Sequence, residues 1–282
     1  MNAETFSGLW YIDKPFVSRM EGIILPRLAA GFDPIPSHFK PAMAITPYDK
    51  NGEYSRARSY LRDYLKTGGG DVAVIPVSGT MSREGYCGMG NEFIIDLLAE
   101  AAQEKEAKAV VLKGNTPGGT VDSIEIFADA IKKFPKPIVG YVNGSVASAG
   151  VFAFSQTDHI IIENSMSAAY GSIGVLMVHI DQSQALEKAG LNVRIFRADE
   201  SVDKAAINGI EPLTPELMAE IKADLNDAMT LFKGYVKRGR AGKLNTEEVF
   251  SAKMYNKTDA IKYGLVDRAG SLADAIKEAR KM

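Results

Sequence analysis

This sequence predicts an α/β fold with a parallel sheet, and three observations carry that expectation. From residue 71 onward short β-branched runs alternate with helical periods, the runs are apolar almost throughout, and the first 70 residues follow a different pattern. The alternation is the rhythm of βαβ units, and near-continuous apolar strands fit a sheet covered on both faces.

Residues 1–70 read as a Pro-rich N-terminal arm. Pro26, Pro34, Pro36, Pro41 and Pro47 fall within 22 residues, a density that blocks continuous helix or central strand and favours extended chain. Trp10, Tyr11, Phe16 and the apolar residues at 23–25 need cover, so the arm is expected to pack on the main body or on a neighbouring subunit. An amphipathic segment at 54–66 follows, and Thr67-Gly68-Gly69-Gly70 marks the boundary to a domain over 71–282. There a strand at 72–77 precedes a helix at 93–107, a strand at 109–113 precedes a helix at 121–134, and a strand at 137–142 precedes a helix at 148–155. Further strands are expected at 159–163, 172–178 and 193–197. Thr214-Pro215-Glu216 is a helix start, with Thr as N-cap and Pro at the first helical position. Leu217, Ile221, Leu225, Ala228, Phe232 and Val236 then recur every three or four residues, giving a long amphipathic helix with one buried face.

Composition narrows the class. With 46% hydrophobic and 24% charged residues the 282-residue chain can bury a real core, and a formal net charge of −2 leaves no electrostatic footprint for nucleic acid or anionic membrane. No window is long and apolar enough for a membrane span, and no leader pattern opens the chain. Cys87, the only cysteine, excludes an intrachain disulfide and points to a reducing, cytoplasmic setting. In its glycine-rich loop, with no histidine nearby in sequence, it reads as an unreactive thiol.

Ser148 is the leading candidate nucleophile. It lies in Asn143-Gly144-Ser145-Val146-Ala147-Ser148-Ala149-Gly150, between an apolar β-like stretch and a helix-like one. A strand-turn-helix setting aims the hydroxyl into a cleft and puts backbone N–H groups behind a developing oxyanion. Asn115-Thr116-Pro117-Gly118-Gly119 ends the preceding strand. Alone, a Pro-Gly-Gly turn is more often structural; beside Ser148 it sets two helix-opening turns along one edge of a parallel sheet, where open α/β folds bind ligands. The histidines fit a base poorly, since His38 falls in the arm and His159 and His179 take packed or edge positions. A lysine can serve if neutral, which for an ordinary amine at ~10.4 brought to ~7 or 8 requires roughly 3–5 kcal/mol from an apolar site. Lys204 has the fewest charged neighbours downstream, although composition alone makes it a surface lysine.

A set of motifs then carries a resemblance. Val74-Ile75-Pro76-Val77-Ser78-Gly79-Thr80, Asn115-Thr116-Pro117-Gly118-Gly119, Ala147-Ser148-Ala149-Gly150, Tyr170-Gly171-Ser172-Ile173-Gly174-Val175, Ala185-Leu186-Glu187-Lys188-Ala189-Gly190, a lysine nine residues before Leu213-Thr214-Pro215, and Ala260-Ile261-Lys262-Tyr263-Gly264-Leu265-Val266-Asp267 follow one another in order. As a set, over about residues 71–270, the chain resembles the signal peptide peptidase A family of serine peptidases, and more closely its phage capsid-assembly, or head maturation, branch. The resemblance implies a Clp protease/crotonase-like spiral of βαβ units, Ser148 as nucleophile, Lys204 as general base and Ser172 as the hydroxyl that orients the lysine amine. It places the oxyanion hole at Gly118, Gly119 and the Ala149 N–H. Tyr170 stands where the family usually has threonine, which is expected to alter the wall of the substrate cleft. The chain ends soon after its Gly-Leu-Val-Asp motif, so a scaffold segment is expected to be a separate protein.

The chemistry implied is acyl transfer through an acyl-enzyme, with no metal or organic cofactor. The expected partners are a protein or peptide substrate (scaffold, capsid or signal peptide) and further copies of the chain, in a homo-oligomer whose active sites are shared between subunits. The setting would be a host cytoplasm or a phage prohead. Three alternatives stay open: a peptidase that degrades leftover signal peptides, a crotonase-like acyl-CoA enzyme suggested by Pro137-Ile138-Val139-Gly140-Tyr141-Val142-Asn143-Gly144, and an inactive assembly scaffold.

Overall fold

The computed structural model describes residues 10–12, 56–85 and 88–282. The proline cluster, Phe16, residues 23–25, His38 and Cys87 lie outside them. Of the N-terminal region, the described elements are strand β1 (Trp10–Ile12) and helix α1 (Arg56–Thr67), the amphipathic segment expected from its periodicity. Ala57, Leu61 and Leu65 of α1 are buried in the same core as the strands that follow.

From residue 72 the βαβ rhythm holds. Strand β2 (Val72–Ser78), helix α2 (Asn91–Gln103), strands β3 (Ala109–Thr116) and β4 (Gly118–Thr120), helix α3 (Ile124–Lys132), strand β5 (Ile138–Ala147), helix α4 (Ala149–Phe154) and strand β6 (His159–Glu163) run in order. After them come β7 (Ala169–Gly171), α5 (Ser183–Lys188), α6 (Pro215–Gly239), β8 (Met254–Asn256), α7 (Lys257–Lys262), β9 (Arg268–Gly270) and α8 (Leu272–Lys281). The main sheet has the order β2-β3-β5-β6-β9, all parallel; β7 joins β5 in parallel, and β8 joins β7 antiparallel.

Alternation along the strands explains the two covered faces. Ala73, Ile75 and Val77 of β2, with Val110 and Leu112 of β3, point into the core beneath α1 to α4. Val72, Val74, Val111, Val139 and Ile161 point the other way, onto Ala275 and Ala279 of α8. Each such Val, Leu or Ile side chain contributes about 1.5–3 kcal/mol by leaving water. α8 is fixed at its start by a capping box between Ser271 and Asp274, and at its end by Arg280, which reaches Asp71 and the Gly68 carbonyl.

Two expected strands do not form. At 172–178 the chain leaves β7 through Ser172 at φ 59°, and 193–197 runs as irregular chain in which Phe196 is 87% exposed. β-branched residues favour a strand where neighbouring strands pair with them; Ile173 is instead buried in the core with Val175 packed beside it, while 193–197 is largely exposed. α6 starts as expected, with Thr214 Oγ1 accepting from Leu217 N. Its apolar stripe, however, is fully buried only at Phe232 and Val236, while Leu217, Ile221, Leu225 and Ala228 are half-covered. The buried end packs on α4, with Phe152 5.1 Å from the Phe232 ring and 4.4 Å from Tyr235.

Among the described residues no helix is long and apolar enough to cross a membrane.

Candidate active site

β5 positions the site by changing partners. Its first half pairs with β6 through Val139 to Val142, its last three residues pair with β7, and between them the register with β3 slips. Gly144, at φ +92°, sits in that slip; a Cβ there would meet the Asn115 side chain. The far end of β5 is thereby steered away from β6 and out between β3 and β7.

Three of the sequence-predicted residues meet at that end. Thr116 of β3 pairs with Val146, and two residues beyond on each chain stand Gly118 and Ser148. Ala147 pairs with Gly171, and the next residues are Ser148 and Ser172. Thr116, Ala147 and Gly171 thus end three neighbouring parallel strands, with Ser148 and Ser172 directly after two of them and Gly118 opening β4 two residues past the third, at the edge where open α/β sheets place ligands.

Ser148 occupies the single residue between β5 and α4, at φ 54° and ψ −115°. Outliers of this kind in a non-glycine residue cost about 1–3 kcal/mol and gather at functional sites, and a strained strand-to-helix turn is how a nucleophilic serine is presented at a sheet edge. Backbone bonds hold it there: Ser148 N donates to the Gly171 carbonyl at 2.8 Å, and the Ser148 carbonyl accepts from Phe152 N at 3.1 Å. Its Oγ lies 3.5 Å from the Gly174 carbonyl, and the residue is fully buried. Ser172, also buried, takes a left-handed φ and donates its N–H to the Lys253 carbonyl at 2.9 Å.

The glycine turn divides its donors. Gly118 N donates to Thr116 Oγ1 at 3.1 Å, and that hydroxyl donates to the Gly79 carbonyl at 2.7 Å. Gly119 lies against the Met81 carbonyl so closely that a Cβ would land on it, which admits only glycine. Helix α4, beginning at Ala149, packs on β4. Thr116, Met81 and Gly174 received no role from the sequence; Thr116 and Gly174 stood inside quoted motifs, and Met81 only one residue past another.

Lys204 stands apart from this edge. It is exposed, in a turn over 202–205, within a stretch from 174 to 230 that contributes no fully buried side chain. The turn is nevertheless built with care. Arg197 donates to the carbonyls of Lys204 and Ala205 at 2.6 and 3.0 Å and forms a two-pronged pair with Glu211 at 3.0 and 2.6 Å. Asn208 closes it with bonds to Ala205 and Glu211. Arg197 carried no sequence signal, because it holds the Lys204 turn through backbone carbonyls.

Tyr170 is not a cleft wall. It is fully buried in the core and its hydroxyl finds no partner there, so burial pushes the phenol up. Of the two histidines among the described residues, His159 is half-buried on β6, while His179 is half-buried on irregular chain just after the segment where a strand was expected. His159 sits 3.8 Å from Asp267, burial lowering its imidazole against that carboxylate, and His179 bonds the Asn208 carbonyl at 2.7 Å. Asp267, the end of the Gly-Leu-Val-Asp motif, is a clamp. Burial raises its carboxyl, but hydrogen bonds from Arg240 and Lys243 outweigh this and hold it at about 2. It receives Arg240 at 2.9 and 3.1 Å, Lys243 at 2.7 Å and Ile160 N at 2.7 Å, joining α6 to β6.

Among the described residues no three His, Cys, Asp or Glu side chains gather as a metal site.

Comparison with known proteins gives one family. The model for Peptidase family S49 matches residues 130–282. Capsid assembly protease C of Escherichia phage lambda is 29% identical over 74% of this chain and 48% of its own. Protease 4 of Haemophilus influenzae is 25% identical over 75% of this chain and 34% of its own. This chain thus spans a third to a half of those two proteins. Among solved structures, a 1510-N membrane protease specific for a stomatin homolog from Pyrococcus horikoshii aligns at TM-score 0.40 and 15% identity, over 73% of this chain and 77% of that one. An enoyl-CoA hydratase from Shewanella pealeana aligns at TM-score 0.46 and 12% identity, over 81% and 76%.

Proposed function

The chain belongs to peptidase family S49, and from that premise we propose that it is a serine endopeptidase with a Ser-Lys dyad: Ser148 is the nucleophile and Lys204 the general base, brought to the site by a second copy of the chain. The observation that carries the reading is the strained Ser148 in its strand-to-helix turn, with Ser172 at the matching position after the neighbouring strand. An uncharged Lys204 amine takes the Ser148 proton, and the alkoxide attacks a peptide carbonyl. The amides of Gly119 and Ala149 receive the tetrahedral oxyanion, while Gly118, whose N–H serves Thr116, shapes the turn. The lysine hands the proton to the departing amine and then activates the water that releases the acyl group. Ser172 orients the amine.

Packing supports shared sites. In one chain Lys204 faces solvent, on a segment that also exposes Leu191, Val193, Phe196, Val202 and Ile207. A neighbouring copy laid on this segment would cover those side chains and supply the apolar surroundings in which an amine loses its charge.

The substrate reading favours capsid assembly or head maturation, on the similarity to the lambda protease and to the head-tail preconnector protein GP5 of Enterobacteria phage P21, 25% identical over 73% of this chain. The match to Protease 4 favours a second reading, removal of leftover signal peptides. A fluorophosphonate probe tests the chemistry common to both. It should label Ser148, and Ser148→Ala and Lys204→Ala should each abolish labelling; tight binding of a CoA thioester without labelling would instead favour the acyl-CoA alternative.

A further inference from the structure

Strand β4 has two edges, and the chain fills both. Toward Met81 it uses the Gly118 carbonyl, which accepts from Met81 N at 2.8 Å, and the Thr120 N–H, which donates to the Met81 carbonyl at 3.0 Å. In a strand, a residue's own N–H and C=O point to one side and its neighbours' to the other. The N–H and C=O of Gly119 therefore face the opposite edge. On that edge lies β1, antiparallel, with Trp10 opposite Thr120, Tyr11 opposite Gly119 and Ile12 opposite Gly118. Tyr11 and Gly119 are the pair set to exchange both backbone bonds, which puts the Tyr11 carbonyl on a proposed oxyanion donor.

β1 is not part of the fold's main sheet. It and β4 form a separate two-stranded unit. The segment comes from far upstream, and it lies beside the one turn where chemistry is expected. Ser148 and Ser172 are meanwhile both buried, so the nucleophile has no solvent-facing approach.

We propose that this edge of β4 is the surface on which an extended peptide adds as an antiparallel strand, and that Trp10–Ile12 fills it as an internal competitor that blocks the resting enzyme. The proposal rests on the reading of Ser148 and Gly119 given above. Recognition through β4 uses main-chain groups, so the substrate class is an unfolded or extended segment of polypeptide, chosen by accessibility more than by side chain. Such a substrate binds only when β1 leaves.

The full-length chain tests this directly. Tyr11→Pro removes the N–H that bonds the Gly119 carbonyl, whereas Ile12→Pro removes one that points away from β4. The rate of fluorophosphonate labelling at Ser148 and the cleavage of unfolded casein should rise at least tenfold in Tyr11→Pro and stay within twofold of the parent in Ile12→Pro. A synthetic peptide of residues 6–16 should slow Tyr11→Pro again. Hydrogen exchange supplies a readout independent of catalysis: the Gly119 amide should be protected in the parent and exposed in Tyr11→Pro. Equal labelling in parent and Tyr11→Pro, or rapid Gly119 exchange in the parent, overturns the blockade. Protected Gly119 with no labelling of Ser148 in any variant keeps β1 on β4 but removes the peptidase reading, and with it the competitor role.

Discussion

The sheet and the limb that leaves it obey opposite packing rules. In the sheet, β2, β3, β5 and β6 bury most of their side chains, on both faces, and the Ser148 turn is set by strand register. In the limb at 174–230 no side chain is fully buried and Leu191, Val193, Phe196, Val202 and Ile207 are exposed, yet the Lys204 turn is pinned by a hydrogen-bond network around Arg197. On the reading proposed above, a second copy of the chain covers those exposed side chains. On the same reading, the sheet supplies the serine of the site and the limb supplies the lysine.

Breaking either half should have the largest effect. Ser148→Ala and Lys204→Ala are each expected to lower peptide hydrolysis by about 10³-fold or more, with neither changing the melting temperature, since members of one catalytic unit fail together. Lys204→Arg should not rescue, because a guanidinium stays charged. A Lys204→Ala enzyme that retains most of its kcat would place the base elsewhere.

The next effect falls on the body alone. Asp267→Asn breaks a buried pair with Arg240 and should cost about 3–5 kcal/mol in urea unfolding. The linked pH dependence has a definite sign. The Asp267 carboxyl is depressed to about 2 in the folded chain against roughly 3.9 unfolded, so its contribution is complete above pH ~4 and is lost as pH falls toward 2. The variant should lack that part of the acid transition; an unchanged acid transition would show the clamp to be idle.

A smaller effect separates the limb's own order from its cover. Arg197→Lys keeps the charge but loses the fork that holds the Lys204 and Ala205 carbonyls, and misplacement of about 1 Å can cost up to 10²-fold in rate. The loss should appear in kcat and not in KM. The smallest effect on folding belongs to Phe196→Ser, which should shift stability by no more than about 0.5 kcal/mol because the side chain is already in water. Its consequence should be read in sedimentation, as weaker self-association.

What the sequence made legible follows the same division. The strands at 72–78, 109–116 and 159–163, the Ser148 turn and the Pro-capped start of α6 are set by local pattern and were readable. The strands expected at 172–178 and 193–197 were misread because periodicity is blind to whether a neighbouring strand is there to pair: Ile173 turns into the core, and 193–197 is left largely exposed. Tyr170 looked like a cleft residue from its place in a motif, but strand alternation turns it into the core. The roles of Thr116 and Arg197 depend on backbone carbonyls brought from elsewhere in the chain, which no residue pattern announces.

Mixing the two inert variants is the most direct measurement of the division of the site between copies. Ser148→Ala retains Lys204, Lys204→Ala retains Ser148, and subunits exchanged between them should regain casein cleavage that neither variant shows alone. Mixed assemblies that form yet stay inert would contradict a lysine supplied across the interface.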